Sequence, residues 1–198
     1  MDLTDPTTTA LVAVEAAERT GRGYALYGGL LLAAYGEPRE TRDVDLAVTS
    51  LDASAIRAAL EELGVRTGAN FERMPFGGLV LDRVNVLGGD DDLGLNTIDL
   101  VRPASDRYAA EALARSIEAP LRDRTVRVLS PEDFILFKLL STRDRDLEDA
   151  ASVLRRSGEQ VDREALDGEV ERLAGELPAV EIRDRWYRLG SINRSGGI

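Results

Sequence analysis

The residues best suited to chemistry in this sequence are Asp43 and Asp45, one residue apart in the run DVDLAV (residues 43–48). That run reads as a strand, and successive strand side chains point to opposite faces. The two carboxylates therefore share one face, while Val44 and Leu46 take the other. Left unpaired a few ångströms apart they would repel, and a divalent cation is the simplest relief, with hard carboxylate oxygens suiting Mg²⁺. Histidine and cysteine are both absent, so imidazole base chemistry, thiolate zinc sites and disulfides are excluded, and any metal must be held by carboxylates.

Two further features could join this pair. Gly28 and Gly29 lie between a short apolar strand, residues 24–27, and an apolar helix, residues 30–35, that reads as buried on most sides. A glycine pair there lets backbone approach a ligand closely, and the helix N-terminus offers free N–H groups to phosphate; the same turn is also common as a purely structural device. Asp99 sits between Ile98 and Leu100 in the run LGLNTIDLV. A carboxylate in an apolar strand either faces water at a sheet edge or belongs to a charged site. If its strand lies beside that of Asp43, Asp99 completes a cluster of three carboxylates.

The elements that must position these residues can be taken in order. A helix is expected over residues 7–20 and another from a cap at Asp52 or Ser54 to Leu63, where Gly64 ends it. A short strand at 65–67, a loop at 68–75 and a β-rich segment at 77–87 follow, the last placing Val80, Asp82, Val84 and Val86 on one face. Gly88 to Asp92 reads as a hairpin turn and residues 93–101 as its partner strand. A helix over 104–116 and short strands at 117–121 and 125–129 complete the mixed part. Ser130-Pro131-Glu132-Asp133 is a strong helix start, with a capping hydroxyl, proline in the first turn and acids at the positive end of the dipole. Helices at about 145–156, 162–177 and 180–189 follow, with 191–198 as a mobile tail. The expected class is α+β: a mixed sheet with flanking helices in residues 1–128, then a helical lobe in residues 129–198, with a ligand cleft between them.

The formal net charge of −11 argues against a protein that coats nucleic acid through a broad basic surface. All basic residues but Lys138 are arginines. No apolar run approaches the roughly 20 residues of a membrane span and the N-terminal residues lack a signal-peptide pattern, so a cytoplasmic location without membrane contact is expected.

Gly28-Gly29, the spacing Arg39-x-Thr41-x-Asp43-x-Asp45 and the distant Asp99 together resemble the nucleotidyltransferase fold superfamily (DNA polymerase β-like). The run SPEDFILFKLLSTRDRDLEDAASVL, with Lys138, Asp146 and Asp149, is similar to the helical part of AbiEii-type toxin nucleotidyltransferases and their small relatives. The resemblance implies that Asp43 and Asp45 bind Mg²⁺ with a nucleoside triphosphate (NTP), and that Asp99 helps hold a second ion and takes the acceptor's proton. It further implies that Gly28 and Gly29 place backbone N–H groups on the phosphates. Lys138 would add a point charge for triphosphate or pyrophosphate, or else snorkel from an apolar helix face. Arg39 and Arg42 become candidate nucleotide contacts or solvated loop residues. Asp146 and Asp149, three apart on a helix, could meet metal or acceptor, or pair with Arg143 and Arg145.

The function so implied is transfer of NMP from an NTP to an acceptor hydroxyl, toxin-like and directed at tRNA, with an antitoxin protein as a possible partner. The alternatives are an antibiotic nucleotidyltransferase, whose acidic surface would suit a cationic aminoglycoside, and a non-catalytic nucleotide-binding or partner protein of the same fold. The C-terminal run IRDRWYRLGSINR can either stack on nucleic acid or bury its aromatics and solvate its arginines.

Overall fold

The computed structural model describes residues 2–87 and 96–195. Helix α1 (Pro6–Arg19) precedes β1 (Tyr24–Tyr27), α2 (Gly28–Tyr35), β2 (Asp43–Val48), α3 (Ala53–Glu62), β3 (Arg66–Phe76), β4 (Leu79–Leu87) and β5 (Asn96–Pro103). Then come α4 (Asp106–Ala114), β6 (Ile117–Leu121), β7 (Arg124–Val128), α5 (Pro131–Leu140), α6 (Asp144–Ser157), α7 (Arg163–Glu176) and α8 (Ile182–Ser195). The strands form one open mixed sheet in the order β3-β4-β5-β2-β1-β7-β6. This is the α+β architecture expected from the sequence.

Helix starts follow local chemistry. The Asp5 carboxylate accepts from the N–H groups of Thr7 and Thr8 at the head of α1, and Ser130 Oγ accepts from Asp133 N at the head of α5. Asp52 caps α3 by accepting from Ala55 N.

The two faces of the sheet have different tasks. Val44, Leu46, Val84, Val86, Ile98 and Leu100 are buried on one of them. That face meets α1 and α3, as Asn96 donates to Thr9 Oγ1 on α1 and Asp82 accepts from Ala53 N on α3. Asp82, which also accepts from Arg73 N at 2.7 Å, is thus a buried acceptor for backbone donors. The opposite face carries Asp43, Asp45 and Asp99, and meets α5 through Tyr27, whose ring packs on Phe134 and Phe137.

The structure departs from the sequence reading in several places. β3 runs through residues expected to be a loop; it is an edge strand, where Pro75 is tolerated, and irregularities between Ala69 and Met74 absorb the positive φ of Arg73. Helix α2 begins at Gly28, so the glycine pair forms its first turn, and Ala33 and Ala34 are exposed rather than buried. Helix α8 passes through Gly190 to Ser195, beyond the expected end. The hairpin turn at 88–92 and residues 196–198 lie outside the described residues.

Candidate active site

Strand pairing builds the site. β2 and β5 are parallel neighbours with Asp45 opposite Asp99 and Asp43 opposite Thr97. On the flanks, β4 places Arg83 opposite Asp99 and β1 places Tyr27 opposite Asp45. One row across four strands therefore reads Arg83, Asp99, Asp45, Tyr27. β5 is an interior strand and Asp99 is buried, so the edge-strand alternative for this residue does not hold.

The three carboxylates have unequal surroundings. Arg83 grips Asp99 with two charge-assisted hydrogen bonds, Nε to Oδ1 and Nη2 to Oδ2, both 2.6 Å. Burial raises the Asp99 pKa and outweighs the opposing influence of Arg83. Asp43 is exposed and accepts from Thr97 Oγ1 at 2.7 Å. Asp45 is half-buried and has no side-chain hydrogen bond or ion pair among the described residues. Burial first, and then the charge of Asp99, push its pKa up to about 7, against the pull of Lys138.

The glycine pair is explained by this segment. Gly28 has φ +75°, and a Cβ there would overlap Asp45 Oδ2. A Cβ on Gly29 would lie 2.7 Å from Thr41 Oγ1. The pair thus leaves room for the Asp45 carboxylate and the loop before it, as well as opening the first turn of α2.

The helices supply the opposite wall. Lys138 is buried on α5, its Nζ 2.6 Å from Asp146 Oδ1 and 3.0 Å from Asp149 Oδ2, both on α6. Arg39 donates to both oxygens of Asp149, at 3.2 and 3.1 Å. Ser141 Oγ also donates to Asp146. Burial opposes ionisation of Asp146, but Lys138, Ser141 and Arg143 prevail and hold its pKa below the usual carboxylate range. Asp146 and Asp149 therefore stand in a closed ion-pair network with Lys138 and Arg39.

A cavity of about 140 Å³ lies between sheet and helices, lined by Asp43, Asp45, Asp99, Lys138, Asp146 and Arg39 among others. Phe76, Leu79, Leu81 and Val101 form an apolar side. Arg143 and Arg145 also line it, and neither forms an ion pair with a described residue; Arg143 stacks on Phe76 with 4.6 Å from Cζ to the ring centroid. Arg42 is exposed and does not line the cavity. Asp149 contacts the lining residues Lys138 and Arg39 from behind.

Sequence reasoning named Arg143 and Arg145 only as partners for α6 acids and passed over Arg83 and Tyr27 as site residues. The strand alternation of β4 sets Arg83 on the face opposite Asp82, which was the available signal. Arg185 was also missed: from α8 it donates to the carbonyls of Lys138, Leu139 and Arg143, fixing the turn that carries Arg143 to the cavity. Elsewhere on α8, Trp186 donates to Asp167, while Arg183 and Arg188 pair with Glu171 and Asp144.

No group of three acidic side chains among the described residues converges closely enough to cage a metal by itself. Mg²⁺ does not require one, because it commonly takes one or two carboxylates and completes its shell with water and substrate phosphate. The uncompensated Asp45 beside Asp43 fits that mode of binding.

The family model described as nucleotidyl transferase AbiEii toxin, Type IV TA system, matches residues 10–185. No curated protein matches the chain. Among solved structures, a candidate nucleotidyltransferase from H. pylori aligns with TM-score 0.54 and 14% identity over 95% of this chain and 92% of its own. The antibiotic-resistance factor ANT(2″)-Ia aligns with TM-score 0.54 and 18% identity over 88% of this chain and 97% of its own. A nucleotidyltransferase-like protein of Paracoccidioides brasiliensis aligns with TM-score 0.51 and 18% identity, covering 87% and 88%. These likenesses are of fold.

Proposed function

This chain belongs to the AbiEii nucleotidyltransferase family, and we propose that it is a metal-dependent enzyme that moves NMP from an NTP to an acceptor hydroxyl. The observation that carries the proposal is the half-buried Asp45 carboxylate, without a hydrogen-bond or ion-pair partner among the described residues, beside Asp43 in a cavity that also presents two arginines with no ion pair among those residues. Mg²⁺ bound there would neutralise phosphate charge as it develops. Asp43 and Asp45 would hold the ion, and Arg143 and Arg145 would take non-bridging phosphate oxygens. The first turn of α2 offers backbone N–H groups to the same phosphates.

In the reaction the acceptor oxygen attacks the α-phosphorus, the bond from that phosphorus to the β-phosphate oxygen breaks, and pyrophosphate leaves. Asp99 takes the acceptor's proton, a role suited to a carboxylate of raised pKa. A second ion would require Asp99 to loosen its contact with Arg83. Lys138 and Arg39 act mainly through Asp146 and Asp149, holding the helical wall against the sheet. Residues 1–128 would serve as the nucleotide-binding part and 129–198 as the lobe that closes over it.

The family's description supports a toxin with an antitoxin partner; a cytoplasmic site of action and tRNA as the acceptor complete the proposal. Among the described residues no helix is long and apolar enough to cross a membrane. A second reading, an aminoglycoside acceptor, is supported by the net charge of −11 and by fold likeness to ANT(2″)-Ia, solved elsewhere with adenylyl-2″-tobramycin (TM-score 0.52, 20% identity, 91% and 98% covered). Incubation with α-labelled NTPs, Mg²⁺ and either total tRNA or a panel of aminoglycosides separates the two. Label in the tRNA pool, lost in Asp43→Ala, is the expected result. Label in the antibiotic pool selects the second reading, and label in neither removes both.

A further inference from the structure

The sequence contains five tyrosines, and their hydroxyls differ in one respect. Tyr24 donates to Glu18, Tyr35 to the Leu129 carbonyl and Tyr108 to Asp133. Tyr187 is 68% exposed and open to water. Tyr27 is only 6% exposed, and its hydroxyl has no hydrogen-bond partner among the described residues. A buried hydroxyl without a partner is unfavourable, and such groups in folded proteins call for an explanation.

Its position supplies one. Tyr27 lies opposite Asp45 in the β1–β2 register, lines the cavity, and immediately precedes the glycine turn. Burial chiefly, then Asp45, keeps the phenol protonated, and Asp146, Arg143 and Asp99 also act on it; these charged groups come from separate segments around the cavity. The ring is held by Phe137 at 5.2 Å and Phe134 at 6.0 Å between centroids and by Lys138 Nζ 5.4 Å from its centroid. An immobilised donor in the wall of a cavity that also presents Arg39, Lys138, Arg143 and Arg145 is preorganised for a ligand oxygen.

We infer that the Tyr27 hydroxyl donates a hydrogen bond to a phosphoryl oxygen of the bound nucleotide, on the pyrophosphate side of the site. The inference rests on the nucleotidyltransferase reading given above. Tyr108 provides the internal contrast: it packs on the same Phe137, at 5.9 Å, but its hydroxyl is satisfied by protein.

The test is calorimetric titration of the full chain with Mg²⁺ and each of ATP, CTP, GTP and UTP, and with Mg²⁺-pyrophosphate, alongside thermal melting without ligand. Tyr27→Phe should bind its preferred NTP and pyrophosphate about tenfold more weakly than wild type, with an unchanged or slightly higher melting temperature, because no protein bond is lost. Tyr108→Phe should do the reverse, melting lower and binding as wild type does. Wild-type affinity in Tyr27→Phe overturns the inference and leaves the proposed function standing. A melting temperature in Tyr27→Phe as depressed as that of Tyr108→Phe also overturns it, by making the hydroxyl structural. Absence of nucleotide binding by the wild-type protein overturns both.

Discussion

Two pairs of aspartates serve the same cavity from opposite walls, Asp43 and Asp45 on β2 and Asp146 and Asp149 on α6. The helical pair is matched by cations: Lys138 bonds to both residues, and Arg39 adds a two-point contact to Asp149. The strand pair is not. Asp43 has one threonine hydroxyl and Asp45 has nothing among the described residues. The pKa directions follow, Asp146 held low and Asp45 pushed up to about 7. The helical carboxylates meet their counter-charges within the fold, whereas the strand pair, proposed to hold a cation, meets none by ion pair among the described residues. Asp99 stands between the two cases, buried as a structural acid and gripped by Arg83, yet in the row that contains Asp45.

Substitutions can break this contrast. The largest effect is expected for Asp45→Ala, which should lower NMP transfer by about 10³-fold or more, several kcal/mol of transition-state stabilisation, while the protein remains folded. Lys138→Met should cost about 3–5 kcal/mol of stability, read by urea denaturation, because it strands buried carboxylates. Arg83→Leu should cost less, about 1.5–3 kcal/mol, as Asp99 loses its two charge-assisted bonds. Arg143→Ala should weaken Mg²⁺-NTP binding about tenfold, roughly the worth of one hydrogen bond to a charged group. Arg42→Ala, exposed and off the cavity, should change stability by less than about 0.5 kcal/mol and leave nucleotide affinity unaltered.

A pH titration sharpens the same comparison. Burial and the neighbouring Asp99 raise the folded pKa of Asp45 from the ordinary carboxylate value of 3.8 to about 7. Between these values the folded state holds a proton that the unfolded state releases. The associated stability is full below about pH 4 and is lost as pH rises through about 7. Urea denaturation of the metal-free protein should show this decline, and Asp45→Asn should flatten it.

Much of the arrangement was legible in the sequence, for identifiable reasons. The shared face of Asp43 and Asp45 follows from the two-residue period of a strand, and the caps at Asp52 and Ser130 follow from short-range hydrogen bonding. Adjacency of Asp99 to Asp45 depends on the parallel pairing of β2 with β5 across two intervening strands, which alternation alone does not specify. Arg83 was missed because its partner is set by β4–β5 register. Gly68, Asn70 and Pro75 lower the strand propensity of residues 68–75, and pairing with β4 overrides that preference. In α8, Gly190 and Ser191 suggested an end to a helix that continues past them.

Thermal melting of wild type, Asp45→Asn and Asp146→Asn in chelator at about pH 8, where Asp45 is ionised, tests the distinction between the two acid pairs most directly. Asp45→Asn should melt above wild type, since removing one charge relieves burial and repulsion from Asp99 and Asp43 that the pull of Lys138 does not offset, and it should lose the stabilisation that Mg²⁺-NTP gives wild type. Asp146→Asn should melt below wild type. An Asp45→Asn protein that melts at or below wild type would contradict the claim that this carboxylate is kept without a partner for a cation.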